Sequence, residues 1–264
     1  LDDPIRGPFQ FIRTGNNNLE RFSISLVKSA HLLPAAIVAY VDKTSSSPNC
    51  TNFTKLNVGS SALLQSNPSS LSCIASATLP IFPGQKALLQ VFRPENGTED
   101  HYALKIGSTL NTNPILVRLH SACFTGDVLG SLKCDCGPQL SSALFQISRE
   151  ERGGILIYLN QEGRGIGLVN KMRAYTLQSQ GFDTVEANHR LGFEDDERDF
   201  RLGASILTKL GFSEIKLMTN NPEKIKIMEN QGVRVTERVP LLITPTEHNH
   251  NYLNTKAKKS GHLI

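Results

Sequence analysis

The chain has 264 residues, of which 39% are hydrophobic and 20% charged, values typical of a globular protein rather than a disordered or fibrous one. Its formal charge is +4 and its pI is about 8.8, which favours small anionic ligands but lacks the dense basic stripes of a dedicated nucleic-acid binder. A chain of this length can bury a sizeable core, in one large domain or two smaller ones.

The apolar run at residues 31–41 contains Pro34 and is much shorter than the roughly 20 residues that a membrane-spanning helix needs. No basic stretch precedes an apolar one at the start, so we expect no signal peptide. The five cysteines are odd in number and unevenly spread, which favours a reducing compartment over a disulfide framework. We therefore expect a soluble, cytoplasmic protein without a membrane partner.

The first quarter of the chain is its least regular part. Residues 19–41 can form two short helices, the second with Pro34 in its first turn. Residues 44–70 are rich in Ser, Asn and Thr, which predicts loops or short edge strands. Because the composition changes at about Cys73, we divide the chain into residues 1–74 and 75–264.

Three short apolar segments follow, at 73–81, 86–94 and 101–107. Each is bounded by Gly, Pro or Asn, a pattern that predicts the strands of a partly antiparallel sheet. Beyond residue 115, apolar strands alternate with helical patterns, and this alternation predicts an α+β, or mixed α/β, fold.

The predicted strands of this second part lie at 115–121, 154–159 and 214–219, and the predicted helices at 138–150, 167–180, 196–210 and 222–231. Glycine follows three of the helices, as Gly181, Gly211 and Gly232. A glycine just past the last helical residue is the usual left-handed stop signal.

Three cysteines form the main chemical motif, with the spacing Cys-x10-Cys-x-Cys at Cys123, Cys134 and Cys136. Three thiolates can bind Zn²⁺ and leave its fourth tetrahedral position open for water, as in catalytic zinc sites. Free cysteines are also among the most buried residue types, so the spacing alone puts zinc only slightly ahead of reduced core cysteines. His120 is a further possible ligand, although a lone histidine is more often a hydrogen-bonding residue.

A glycine cluster at residues 160–171 follows a predicted strand and opens a helix, where backbone N–H groups can approach an anion. It has neither the full dinucleotide-binding spacing nor the Gly-Lys-Ser/Thr ending of a Walker A loop. An ordinary tight turn remains an open alternative.

A second helix start lies at residues 217–228. Thr219 ends a strand, Asn221 can cap the helix, and Pro222 suits its first position. Lys224 in the first turn opposes the helix dipole, which costs stability unless an anion sits nearby. A solvated lysine on an exposed helix is the alternative.

An acidic segment at residues 192–200 contains Asp196 and Arg198, close enough in sequence to act on one substrate. Acidic residues at the start of a helix also complement its dipole. The sequence therefore favours neither this structural interpretation nor the functional one. Tyr175 lies on the helix after the glycine cluster, where a phenol can donate or relay a proton. A tyrosine on an amphipathic helix is more often a packing residue.

Taken together, the segments at 117–137, 161–200, 219–225 and 254–264 closely resemble GTP cyclohydrolase II, the first committed enzyme of riboflavin biosynthesis. The similarity runs from about residue 75 to the C-terminus, and the motifs keep the family's order at nearly its spacing. The resemblance implies a GTP cyclohydrolase II-like fold, with residues 75–264 as the catalytic domain, a homodimer, and no nucleic-acid partner.

The resemblance also implies the reaction and the site. GTP would be hydrolysed to 2,5-diamino-6-(5-phospho-D-ribosylamino)pyrimidin-4(3H)-one, formate and pyrophosphate, with one Zn²⁺ per subunit on the three cysteines and Mg²⁺ on the phosphates. Asp196 would be the proton acceptor, Arg198 a nucleophile or phosphate stabiliser, and Tyr175 a proton donor or relay. The implied GTP contacts are Arg118, Leu119, His120, Ser121, Ala122, Gln139, Glu162, Gly163, Arg164, Thr184, Thr219 and Lys224.

The sequence departs from the family's pattern at Ala122, where many relatives carry Glu. Some family members also carry an N-terminal dihydroxybutanone phosphate synthase domain, but residues 1–74 are too short for it and lack its acidic motif. We interpret them as an extension of unknown role, a truncated or degenerate domain. Two alternatives remain: a paralogue that acts on another nucleotide or stops at the formamide, and a non-catalytic zinc or nucleotide-binding module.

Overall fold

A computed structural model of the chain describes residues 18–39, 54–56, 70–82, 84–108, 114–244 and 246–247. Within these ranges the elements in chain order are α1 (Asn18–Ser29), β1 (Leu71–Ile81), β2 (Gln85–Pro94), β3 (His101–Ile106), β4 (Ile115–Ser121), α2 (Cys136–Arg149), β5 (Gly154–Leu159), α3 (Gly167–Ser179), α4 (Thr184–Arg190), α5 (Arg201–Lys209), β6 (Glu214–Met218), α6 (Pro222–Asn230) and β7 (Arg234–Val239). Two short turns complete this part of the chain, a single π-helical turn at Phe124–Val128 and a tight turn at Glu162–Gly165.

The strands form one mixed sheet in the order β1-β2-β3-β5-β4-β6-β7. On one side of the sheet β1, β2, β3 and β5 pair antiparallel. On the other side β4 runs parallel to both β5 and β6, and β6 runs parallel to β7. The predicted mixed α/β class and the partly antiparallel sheet are confirmed.

Strand β4 shows how the two faces of the sheet are used. Ile115, Val117 and Leu119 belong to the apolar cluster that packs α5 and α6 against one face. Leu116 belongs to the cluster on the opposite face, where α2 packs. Because successive side chains of a strand alternate between faces, Arg118 lies on the α2 side and Leu119 is buried in the core on the other side.

The parallel strands β4, β5 and β6 end at the same edge of the sheet. The chain leaves β4 through α2 to reach β5, and leaves β5 through α3, α4 and α5 to reach β6 on the far side of β4. In open α/β sheets, a crevice forms outside the carboxyl ends of strands where connections diverge in this way. The segments that follow β4, β5 and β6 therefore meet at one place.

The three glycine stop signals are confirmed, since Gly181, Gly211 and Gly232 all adopt positive φ just beyond α3, α5 and α6. Asn221 caps α6, its side chain accepting from the backbone N–H of Glu223. Helix α2 begins at Cys136, two residues before the predicted start at Pro138. The proline lies in the first turn of the helix, where it is tolerated.

The prediction of a helix at 196–210 is wrong in its first third, since α5 begins at Arg201. The side chain of Asp196 accepts from the backbone N–H of Arg198, and that of Asp199 accepts from the N–H of Arg201. Side-chain turns of this kind compete with helical hydrogen bonding. The acidic segment is therefore a loop.

One other local prediction is wrong, and two elements were not predicted. The second helix expected within 19–41 does not form over 31–39, where His31 instead adopts a left-handed backbone with φ 54°. Helix α4 was missed, although Asp183 and Glu186 form a capping box at its start. Strand β7, mostly exposed, was also missed. Most of segment 44–70 and all of motif 254–264 lie outside the described residues.

The division into residues 1–74 and 75–264 stays a prediction. No helix in the described ranges is both long and apolar enough to cross a membrane.

Replacing Ile157 by alanine should test the central strand. The side chain is fully buried in the main apolar cluster, so Ile157→Ala should lower the free energy of unfolding by about 2 to 5 kcal/mol. Urea denaturation measures the change. The exposed Ser141 on α2 supplies the control, because Ser141→Ala should change stability by no more than about 0.5 kcal/mol. Equal effects of the two substitutions would contradict the described core.

Candidate active site

A cleft with about 1040 Å³ of free space, counting its open mouth, lies where β4, β5 and β6 end. It brings together most of the residues that the sequence predicted as a site. Those lining it are Arg118, His120, Ser121, Ala122, Cys123, Cys134, Cys136, Gln139, Glu162, Gly163, Arg164, Tyr175, Thr184, Arg198, Thr219 and Lys224. Leu119 and Asp196 do not line the cleft: Leu119 is buried in the core, and Asp196 lies behind Arg198.

The three predicted cysteines form one compact group. Their Sγ atoms all lie within 4.8 Å of one another, and the Sγ atoms of Cys123 and Cys134 are 3.7 Å apart. Tetrahedral zinc with Zn–S bonds of about 2.3 Å holds its sulfurs about 3.8 Å apart, so this donor set fits a zinc ion. Hydrogen bonds from the other two thiols lower the pKa of Cys123, which favours the thiolate that a metal requires.

Two glycines allow the cysteine group to close. A Cβ on Gly126 would lie 2.9 Å from Cys134 Sγ and 3.0 Å from Cys123 Sγ, and a Cβ on Gly137 would lie 2.3 Å from the carbonyl oxygen of Gly126. The π-helical turn therefore sits directly on the first turn of α2. Any side chain at either glycine would push the turn and the helix apart.

Lys171 on α3 reaches the same group from the opposite side. Its side chain is buried, and Nζ lies 3.1 Å from Cys123 Sγ, 2.9 Å from Thr125 Oγ1 and 2.8 Å from Glu162 Oε1. Burial by itself disfavours the ammonium, but Glu162, followed by Tyr175 and Cys123, raises the pKa of Lys171 well above its usual value. Lys171 is therefore a fixed positive charge against the thiols.

His120 is a hydrogen-bonding residue rather than a member of the thiol group. Its Nε2 lies 3.1 Å from both carboxylate oxygens of Asp127, which also accepts from Tyr158 Oη at 2.9 Å and from the backbone N–H of Cys123 at 3.1 Å. Burial lowers the pKa of His120. Asp127 thus ties the histidine to the start of the cysteine turn.

Two buried polar atoms at the cleft have no hydrogen-bond partner among the described residues: His120 Nδ1 and Arg118 Nε. The rest of the Arg118 guanidinium donates to the carbonyl of Met218 at 2.9 Å and to Gln139 Oε1 at 2.5 Å. Burial lowers the pKa of Arg118 to about 10, so the group stays charged at neutral pH. An unpaired buried polar group costs free energy, and a polar ligand would supply the missing partner.

Arg198 and Asp196 form an ion pair at the cleft wall. Arg198 Nε donates to Asp196 Oδ1 at 2.7 Å and Nη2 to Oδ2 at 2.5 Å, while Nη1 donates to Ser121 Oγ at 3.3 Å. Partial burial acts against the charged carboxylate, but Arg198 outweighs it and lowers the pKa of Asp196. Asp196 is therefore an ionised carboxylate that holds Arg198 in place.

The glycine cluster forms a strained turn after β5. Gly163 and Arg164 both adopt left-handed φ, at 63° and 62°, which for arginine costs about 1 to 3 kcal/mol. The carbonyl of Arg164 accepts from the N–H of Glu197 at 3.0 Å, and Arg164 Nη1 donates to the carbonyl of Asp195 at 3.1 Å. These bonds hold the turn against the acidic loop.

Lys224 is buried, so the alternative of a solvated lysine is wrong. Its Nζ donates to the carbonyl of Leu119 at 3.0 Å and lies 4.6 Å from the centre of the Phe200 ring.

Two further predicted residues lie on neighbouring helices. Tyr175 on α3 has Lys133 Nζ 4.6 Å from its ring centre, and Thr184 begins α4.

Sequence reasoning missed Lys171, Gln178 and Asn188, which also line the cleft. Lys171 and Gln178 lie on α3 four residues before and three residues after Tyr175. Residues at these spacings share one face of a helix, and this was the available signal. Asn188 lies on α4, an element that the sequence analysis did not predict.

Comparisons with known proteins agree on one family. Residues 72–240 match the family model described as GTP cyclohydrolase II. The protein called GTP cyclohydrolase-2 from Escherichia coli O9:H4 is 52% identical over 194 residues, covering 74% of this chain and 98% of that protein. The protein of the same name from Azospirillum brasilense is 45% identical over 250 residues, covering 93% of this chain, and this chain spans only 65% of that relative's length.

Among solved structures, a two-domain 3,4-dihydroxy-2-butanone 4-phosphate synthase, RibBX from A. baumannii, aligns with 68% of this chain and 42% of its own. Its identity is 18% and its TM-score 0.36, and a likeness that weak carries no argument.

Gly137→Ala should weaken metal binding without touching a ligand. The added methyl would lie 2.3 Å from a backbone oxygen, so α2 and the π-helical turn must separate and the three sulfurs with them. We expect zinc affinity, measured by chelator competition, to fall about 10- to 100-fold. The neighbouring exposed Pro138→Ala is the control and should bind zinc as the wild type does. Unchanged affinity in Gly137→Ala would contradict the close approach.

Proposed function

The chain belongs to the GTP cyclohydrolase II family, and we propose that it hydrolyses GTP to 2,5-diamino-6-(5-phospho-D-ribosylamino)pyrimidin-4(3H)-one, formate and pyrophosphate. The observation that carries the proposal is that the three-thiol group opens into the same cleft as several fixed cations. We also propose a homodimer from the family resemblance, a cytoplasmic location from the cysteine usage, and no nucleic-acid partner because the net charge is modest.

The thiol group can hold a metal ion, and we propose zinc on Cys123, Cys134 and Cys136. Zinc bound by three protein ligands supplies a water whose pKa is about 7, and therefore hydroxide at neutral pH. The chemistry needs this, because opening the imidazole ring of guanine and removing C8 as formate consumes two water molecules. Lys171, in contact with Cys123 Sγ, would offset the negative charge of the thiolates.

The cations around the cleft suit a nucleoside triphosphate. Arg118, Arg164, Arg198 and Lys224 all line it, and charge-assisted hydrogen bonds from such groups are the strongest that phosphates receive. The buried Nε of Arg118, which has no hydrogen-bond partner in the described part of the chain, would gain one from the ligand. Mg²⁺ on the phosphates would spread the remaining charge, as in other enzymes of phosphoryl transfer.

The other implied GTP contacts have polar groups at the cleft, with two exceptions. His120, Ser121, Gln139, Glu162, Gly163, Thr184 and Thr219 offer side-chain or backbone donors and acceptors there. At Leu119 only the backbone remains for the ligand, and its carbonyl already accepts from Lys224. Ala122 offers no side-chain hydrogen bond where many relatives carry Glu, so we assign it a backbone or packing contact.

Asp196 and Arg198 divide the proton and charge chemistry. Asp196 is ionised and can accept a proton, in keeping with its implied role. An arginine side chain normally stays protonated in proteins, so the role that we propose for Arg198 is to stabilise phosphoryl charge. The alternative, a nucleophilic Arg198, requires Asp196 to take the guanidinium proton during the reaction. Tyr175, at the cleft beside two lysines, would donate or relay a proton in ring hydrolysis.

The proposed function is tested by GTP turnover with zinc measured in the same samples. Wild-type protein with zinc and Mg²⁺ should release formate, and Cys134→Ser should lose both zinc and formate release because one of three ligands is gone. The matched control is Cys73→Ser, since Cys73 is exposed and outside the group. Wild-type protein that binds zinc but releases no formate would overturn the assignment, and normal turnover without zinc would overturn the metal site.

Tyr175→Phe separates the complete reaction from one that stops early. If the phenol serves ring hydrolysis, formate release should fall at least about tenfold while pyrophosphate release continues, within the range expected for loss of a general acid or base. Mass spectrometry of the products distinguishes GMP, whose ring is intact, and the formamide from the final pyrimidine. Tyr102→Phe, on β3 and outside the cleft, is the control. Full formate release by Tyr175→Phe would remove the tyrosine from the mechanism.

A further inference from the structure

Residues 18–39 lie outside the segment 72–240 that matches the family model, yet they pack against the elements that support the cleft. The segment consists of α1 and the extended residues that follow it. None of its residues lines the cleft, so it does not obstruct entry. It contacts the outer side of α3, the end of α4 and the acidic loop at 193–199.

The first contact is an ion pair with the acidic loop. Lys28, in the last turn of α1, places Nζ 2.5 Å from Glu197 Oε1, and both side chains are about three quarters buried, at 24% and 23% exposure. Lys28 Nζ also lies 5.6 Å from the centre of the Phe193 ring. Glu197 stands between Asp196 and Arg198 in the chain, so this contact reaches the middle of the proposed catalytic loop.

The second contact is with helix α3. The carbonyl of His31 accepts from Nδ2 of the fully buried Asn170 at 2.8 Å. A Cβ on Gly167 would lie 3.1 Å from the His31 side chain, so residue 31 packs in close contact with the start of the helix. The left-handed backbone of His31 directs the chain along this path.

The third contact is at the end of α4, where a Cβ on Gly192 would lie 3.4 Å from Pro34. The three contacts come from Lys28, His31 and Pro34. Each reaches a different element: the acidic loop, α3 and the end of α4. Each of these elements also carries or adjoins a proposed site residue: Tyr175 on α3, Thr184 on α4, and Arg198 on the loop.

Glu197 is the residue through which this packing can act on the site. Its Oε1 accepts from the backbone N–H of Glu194 at 2.9 Å, and its own N–H donates to the carbonyl of Arg164 at 3.0 Å. A Cβ on Gly165 would lie 2.8 Å from the Glu197 carbonyl, so the turn after β5 packs directly on it. Moving Glu197 would therefore disturb both Arg164 and Arg198.

Lys28 differs from the other ion-pair partners of the acidic loop because it comes from the N-terminal segment. Three other acids of the loop have cationic or histidine partners from the matched part of the chain, in the pairs Asp195–His189, Asp196–Arg198 and Asp199–Arg201. Glu197 takes its ion-pair partner from the N-terminal segment. Without that partner, a carboxylate about three quarters buried would lie next to Arg198 in the chain and beside the turn of Arg164, and would compete for their guanidinium groups.

We propose that residues 18–39 form a brace for the active-site loop 193–199, and that Lys28 is a positioning residue that holds Arg198 and Asp196 in place through Glu197. This inference rests on the proposed function for its kinetic consequence. The brace supplies nothing to the ligand directly. It gives the N-terminal extension, to which the sequence assigned no role, a part in catalysis.

The test uses the 264-residue chain loaded with zinc and three variants of it. Lys28→Ala should lower kcat for GTP about tenfold, as expected when reacting groups are misplaced by a fraction of an ångström, with zinc content unchanged and KM within about threefold. Lys28→Arg should retain most of the activity. The exchanged pair, Lys28→Glu with Glu197→Lys, should recover part of the loss, because the ion pair is restored in reverse while a lysine at 197 cannot accept from the N–H of Glu194.

Lys216→Ala is the matched control, since it breaks a Lys–Glu pair between β6 and β7 and should leave kcat unchanged. A brace that served stability alone would lower the melting temperature of Lys28→Ala without changing kcat of the folded, zinc-loaded enzyme. That result, or a failure of both Lys28→Arg and the exchanged pair to restore turnover, would overturn the proposal.

Amide hydrogen exchange separates this inference from the proposed function. Lys28→Ala should increase exchange at Glu194 and Glu197, whose N–H groups are hydrogen-bonded in the loop, and leave α2 unchanged. If the wild type does not turn over GTP, the proposed function fails, and the exchange result still decides whether residues 18–39 hold the loop. Equal exchange in wild type and Lys28→Ala would overturn the brace itself.

Discussion

Three thiols within 4.8 Å of one another concentrate negative charge as soon as they ionise, and the surrounding chain has to accommodate that charge. The polypeptide does so by close packing and by a buried cation. Gly126 lets the backbone approach the sulfurs, Lys171 contacts one of them, and Asp127 anchors the turn by accepting from the backbone of Cys123. The same lysine is held by Glu162, so the three cysteines and the turn after β5 are parts of one hydrogen-bonded unit.

Local signals were sufficient where a residue acts on its own backbone. The glycine stops of three helices and the Asn221 cap could be predicted because each depends on a single residue's conformational preference. The start of α5 could not, since the acids before it resemble a favourable first helical turn. In the folded chain Asp196 and Asp199 use their carboxylates to bind backbone N–H groups two residues ahead, and this choice depends on Arg198 and Arg201.

The site residues themselves were predicted from a family resemblance, whereas their arrangement follows from the sheet. Leu119 illustrates the limit of reasoning from a contiguous motif, because strand alternation buries its side chain in the core while its neighbours Arg118 and His120 face the cleft. Lys171 illustrates the opposite case, a residue that no motif singled out although it lies one helical turn before Tyr175 and lines the cleft. Residues 18–39 carry no motif, and their role depends on contacts with residues more than 130 positions away.

The bond from Arg118 to the carbonyl of Met218 joins residues 100 positions apart, across the parallel pair β4 and β6. Two parallel strands can pair only after a long loop has closed, which costs conformational entropy before any stabilising contact forms. Such pairings are therefore slow steps in folding. The antiparallel ribbon of β1, β2 and β3 joins neighbouring segments and can form early. The cleft therefore depends on the pairing of β4 with β6, and a chain interrupted between β5 and β6 would lack the carbonyl that holds Arg118.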